Sequence, residues 1–72
     1  MREQYVKKFA ERLSCLRKEL QLSKKELAEA IEISYTTINY WENNKGLPTK
    51  KNIVKLVKFF SVSADYLLGL ED

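Results

Sequence analysis

The chain has 72 residues, with 13 Lys and Arg against 10 Asp and Glu, no His, one Cys, two Gly and a formal net charge of +3. That length limits it to one domain over residues 1–72, and a domain this small buries only roughly 60 to 65% of its unfolded surface. Without histidine there is no Cys/His zinc site and no Ser-His or Cys-His nucleophile pair, two glycines cannot build a phosphate-cradling loop, and one cysteine cannot form an internal disulfide.

Along the chain, Phe9, Leu13, Leu16 and Leu20 come first, recurring at three- and four-residue spacing and predicting an uncapped helix over 3–20. Cys15 falls on or beside that apolar face as a small packing residue, and its unpaired thiol fits a reducing cytoplasm. No apolar run approaches the ~18 residues of a membrane span, and nothing resembles a signal peptide.

Leu22-Ser23-Lys24-Lys25-Glu26-Leu27 opens a second helix over 24–31. Ser23 can cap the orphan N–H groups, Ser23 with Glu26 makes a capping box, and Leu22 with Leu27 reads as a hydrophobic staple. Eleven residues on, Ile33-Ser34-Tyr35-Thr36-Thr37-Ile38 repeats the signal and opens a third helix over 35–43. Pro48-Thr49 followed by Ile53 opens a fourth over 50–60, and Val62-Ser63 followed by Leu67 a fifth over 64–69. In each case the hydroxyl residue is followed four places later by Leu or Ile. Leu27, Ala28 and Ile31, then Ile38 and Trp41, then Ile53, Leu56, Val57 and Phe60 form the matching stripes. No segment alternates as a strand would. The fold class is therefore all-α, with short helices held by packing around Trp41.

Two short helices joined by a tight turn, here 24–43, are how a protein presents one of them to a DNA groove. With Ile38 and Trp41 inward, Thr36, Asn39, Tyr40 and Asn43 point outward and Tyr35 sits at the rim. A solvated helix face usually carries Lys, Glu or Gln, whereas these five are uncharged and hydrogen-bonding. Asn suits adenine N6/N7, Thr a thymine methyl, and a Tyr hydroxyl a phosphate or base edge. Around this face lie cations and a helix start: Ser23, Lys24 and Lys25, then Lys45, then Lys50 and Lys51. Lys55 and Lys58 read as a solvated face, and the tail from Phe59 onward carries no Lys or Arg.

The ordered set Ser23-Lys-Lys-Glu-Leu-Ala28, Ile31-Glu-Ile-Ser34, Thr37-Ile38, Trp41-Glu42-Asn43, Pro48-Thr49 and Val62-Ser-Ala-Asp-Tyr-Leu-Leu68 resembles the Cro/repressor-type helix-turn-helix proteins, the XRE family. The likeness runs from about Phe9 to Gly69. It implies a compact five-helix lambda-repressor-like domain that binds operator DNA, usually as a homodimer, and regulates transcription. Carried over by position, it implies base reading by Tyr35, Thr36, Asn39 and Tyr40, and phosphate contacts from Lys24, Asn43 and Lys45. It also implies a structural ion pair between Arg17 and Glu42. The family favours glycine where this chain has Gln21, Glu32, Asn44 and Ser61, positions that need a left-handed backbone. The turn holding Glu32 is then either strained or built differently.

The expected function is a sequence-specific transcriptional regulator, a repressor on a palindromic operator, with phosphates held by Ser23, Lys24, Lys25, Asn43, Lys45 and Lys50. It stands alone or as the amino-terminal part of a longer regulator, with no metal, cofactor or small-molecule ligand evident. Phe59, Tyr66, Leu67, Leu68 and Leu70 are the candidate dimer surface, although Leu67 fits the core equally well. A different class, a protein-interaction module such as an antitoxin or regulatory subunit, would use Tyr35, Tyr40 and Trp41 as a hot spot. An enzyme is disfavoured because no nucleophile–base pair is present.

Overall fold

A computed structural model describes residues 2–71. It contains five helices: α1 (Arg2–Glu19), α2 (Lys24–Ile31), α3 (Tyr35–Glu42), α4 (Lys50–Phe60) and α5 (Ala64–Leu67). No strand occurs among the described residues. None of these helices is long and apolar enough to cross a membrane.

All four hydroxyl caps form. The side chains of Ser23, Ser34, Thr49 and Ser63 accept from the backbone N–H of Glu26, Thr37, Asn52 and Tyr66. At Ser23 the box closes in both directions, since its own N–H donates to Glu26 Oε1 at 2.8 Å. Each cap satisfies an orphan donor and contributes typically about 1 kcal/mol.

The helix ends share a second device. Gln21, Glu32, Asn44, Ser61 and Gly69 have φ between 57° and 79°, in the left-handed region. Directly after each, a backbone N–H returns to the carbonyl five residues back: Leu22 to Arg17, Ile33 to Ala28, Lys45 to Tyr40, Val62 to Val57 and Leu70 to Asp65. These are Schellman closures. In three of them the closing residue is apolar and a serine cap follows at once. The connectors Gln21-Leu22-Ser23, Glu32-Ile33-Ser34 and Ser61-Val62-Ser63 are thus one three-residue turn used three times. The turn at Glu32 is strained and keeps the left-handed geometry.

Phe9, Leu13, Leu27, Ile38, Leu56 and Leu67 are wholly buried, with Ala28, Ile31 and Trp41 beside them. Phe9 meets the Trp41 ring edge-on, with centroids 5.6 Å apart. α1 packs on α3 and α5, α2 on α3 and α4, and α4 on α5. Three details depart from the sequence reading. The buried stripe of α1 runs Val6, Phe9, Ala10, Leu13 and Arg17, while Leu20 lies past the helix end and is 53% exposed. Cys15 is exposed rather than packed, because it lies off that stripe. α5 stops at Leu67, two residues short of position 69.

Candidate nucleic-acid interface

α3 is anchored from behind and open in front. On its inner side Ile38 and Trp41 fill the core. At its C-terminal end Glu42 meets Arg17 of α1 in a two-pronged ion pair, Nε to Oε2 at 2.8 Å and Nη2 to Oε1 at 3.0 Å. The third arm of the guanidinium, Nη1, donates to the Leu22 carbonyl at 2.7 Å. One side chain therefore ties α1, the α1–α2 turn and α3 together. The hydrogen bond with Glu42 raises the Arg17 pKa above its ordinary value, against the opposing effect of burial. The pairing implied by the family resemblance is present, and among the described residues no buried side-chain polar atom lacks a partner.

The outer face carries Tyr35, Thr36, Tyr40 and Asn43, all exposed, with Asn39 half-buried between them. Tyr40 lies against Gly46: a Cβ there would come within 2.9 Å of the phenol ring and its hydroxyl. The absence of a side chain at Gly46 is what lets the ring lie over the α3–α4 loop. Thr36 and Tyr40 also line a groove that runs to Leu47, Pro48 and Asn52 at the start of α4.

Of the expected phosphate contacts, Lys25, Asn43, Lys45 and Lys50 are exposed. Two others are engaged within the protein. Lys24 Nζ donates to Asn39 Oδ1 at 2.8 Å. Ser23 is committed to the capping box, so the Glu26 carboxylate already supplies negative charge at the α2 N-terminus. Lys55 is also tied down, its Nζ donating to the Glu32 carbonyl at 3.3 Å.

Sequence reasoning missed two cations. Arg2 and Lys7, on the first turns of α1, line a groove with Glu3, Val6, Asn44 and Lys45. Nothing local in the sequence signals this, because it depends on where α1 crosses the α3–α4 loop.

The candidate dimer residues separate into two groups. Leu67 is wholly buried and belongs to the core; with no exposed surface it is not available to a partner. Leu68 is half-buried against the core, and Tyr66 lies beneath the Arg12 guanidinium, 4.3 Å from the ring centroid. Arg12 also donates to the backbone carbonyls of Tyr66 and Glu71. Phe59 and Leu70 remain exposed, at 36% and 59%. Trp41 is 2% exposed, which removes it from any surface hot spot.

The chain is 41% identical over 64 residues to the HTH-type transcriptional activator BcrR of Enterococcus faecalis, covering 89% of this chain and 31% of that protein. It is 37% identical over 62 residues to the cryptic phage CTXphi transcriptional repressor RstR of Vibrio cholerae, covering 86% and 55%. It is 36% identical over 65 residues to the HTH-type transcriptional regulator DicA of Escherichia coli, covering 89% and 48%. The chain thus spans between 31% and 55% of the length of these relatives. No solved structure matches it significantly. The family model described as helix-turn-helix matches residues 16–67, from the end of α1 through α5 and including both motif helices. With that match over most of its length, and with α2 and α3 joined by the tight turn at Glu32, the chain belongs to the helix-turn-helix family.

Proposed function

We propose that this chain is a sequence-specific DNA-binding transcriptional regulator, acting as a repressor, with α3 lying in the major groove. The observation that carries this is the uncharged, hydrogen-bonding outer face of α3, held rigid from behind by the Arg17–Glu42 pair. Base edges are read by hydrogen bonds and apolar contacts of this kind, while cations at the margin hold phosphates. Lys25, Lys45 and Lys50 supply that margin, and Arg2 and Lys7, beside Lys45, extend it along α1. Three relatives carry transcriptional regulation in their names, one as an activator and one as a repressor. Repression requires only occupancy of an operator, which blocks polymerase without a further contact surface.

A homodimer would place two α3 helices about 34 Å apart on one face of the duplex, so the operator would be palindromic. Exposed Phe59 and Leu70 are the surface we assign to that contact. The test is a binding titration against salt, together with selection from a random duplex pool. Affinity should fall steeply between about 50 and 200 mM salt, and the pool should yield a palindrome. A flat salt response and no selected sequence would refute the proposal in favour of a protein-binding module.

A further inference from the structure

Lys24 does not project freely from the first turn of α2. Its ammonium donates to Asn39 Oδ1 at 2.8 Å, across the two motif helices, and both side chains are half-buried. That bond decides what Asn39 can offer to a base. An asparagine reads adenine with both ends of its amide, the oxygen accepting from N6 and the nitrogen donating to N7. Here the oxygen is bonded to an ammonium, which turns the Nδ2 group, with its two N–H donors, away from Lys24. The ammonium itself has two further N–H donors after the bond to Asn39. The pair therefore presents donors and positive charge together. A base edge carrying an amino group, adenine N6 or cytosine N4, meets hydrogens of like polarity. Of the two bases with no donor in the major groove, thymine presents one acceptor, O4, and guanine two, O6 and N7, so guanine matches the paired donors. Thr36 and Tyr40 on the same face carry hydroxyls that both donate and accept, so neither imposes such a polarity.

We infer that Lys24 and Asn39 work as one unit selecting guanine, with Lys24 as the positioning residue that sets the polarity of the Asn39 amide. This rests on α3 reading DNA as proposed above. The test is selection from a random duplex pool with the wild-type chain, Lys24→Met and Asn39→Ala. The wild type should select a guanine at one position of each half-site. Both variants should lower guanine discrimination at that same position by about tenfold, the scale of one good base contact, with the other positions unchanged. Lys24→Met should in addition turn the preference toward adenine, because the amide oxygen is released. If Lys24→Met weakens all sequences alike, lowers the salt slope by about one and changes no position, Lys24 is a phosphate contact and the inference fails while the DNA reading stands. Changes at different positions in the two variants would also overturn it. Partial unfolding scales all sequences together, so it cannot imitate a change at one position. A wild-type protein that selects no sequence would instead refute the DNA reading itself.

Discussion

Removing one partner of the Arg17–Glu42 pair should be among the most damaging single changes available in this chain. The side chains are 10% and 5% exposed, and Glu42 receives two of the guanidinium hydrogen bonds while Leu22 receives the third. In Glu42→Ala the guanidinium keeps only the Leu22 carbonyl. Breaking a buried pair in this way costs about 3–5 kcal/mol. A natural domain of this size has a total stability of roughly 4–11 kcal/mol, from about 0.05–0.15 kcal/mol per residue, so about a quarter or more of it should disappear. At about 4–8 °C per kcal/mol, Tm should fall by at least about 12 °C. Urea denaturation followed by circular dichroism, with the slope checked for constancy, measures the loss directly. The double variant Arg17→Met with Glu42→Leu should recover most of it, because apolar replacement of both charges removes the desolvation cost together with the attraction. Arg17 gains its partner on folding, so its pKa is raised and its contribution is complete below the unfolded value. Arginine titrates above roughly 12, so raising the pH from 7 to 10 should leave that contribution intact. A loss under about 1 kcal/mol in Glu42→Ala, the range of exposed pairs, would refute the assignment of Arg17 as the brace of α3.

Three further outcomes are expected. Gln21→Gly, Glu32→Gly and Ser61→Gly should each stabilise the fold by roughly 0.5–1 kcal/mol in urea melts, since relief of about 1–2 kcal/mol of left-handed strain outweighs the entropy cost of glycine; a loss at all three would contradict the strain. Lys45→Ala and Lys7→Ala should each weaken binding to every sequence and lower the salt slope by about one, whereas Thr36→Ala should relax sequence preference with little change in non-specific binding. Gly46→Ala should leave the melting midpoint nearly unchanged yet alter the selected sequence, because the added methyl pushes the exposed Tyr40 ring off the loop; an unchanged sequence would show that the ring position is irrelevant to recognition.

The parts of the fold that local chemistry determines were legible in the sequence. A cap is a contact between a side chain and a backbone group three residues on, so Ser23, Ser34, Thr49 and Ser63 could be placed without knowing what packs on what. The left-handed closures were legible only through the family resemblance, because Gln21, Glu32 and Ser61 do not themselves favour that conformation. The apolar stripe of α1 failed at Leu20 for a related reason. Periodicity cannot register that the chain turns left-handed at Gln21, and Arg17, shielded by Glu42 and Leu22, takes the last buried place instead of a leucine.

Long-range placement was the illegible part, and it redistributes the charge around α3. In sequence, Ser23, Lys24 and Lys25 form a compact anion site at the start of α2. In the fold, Glu26 turns back onto Ser23 and Lys24 turns sideways onto Asn39, which leaves Lys25 as the outward cation of that group. Meanwhile α1 brings Arg2 and Lys7 beside Lys45, about forty residues of chain separation being irrelevant to a groove formed where α1 crosses the α3–α4 loop. If α3 docks on DNA as proposed, phosphate binding would therefore shift away from the motif's first helix and toward the α1–loop groove at the other end of α3. The consequence is mechanical as well as electrostatic. On that proposal, a docking helix held mainly at its C-terminal end, near the Arg17–Glu42 brace, would transmit its position on the backbone to Tyr35 and Thr36 through the rigidity of α3, and that buried ion pair would help to determine which bases are read.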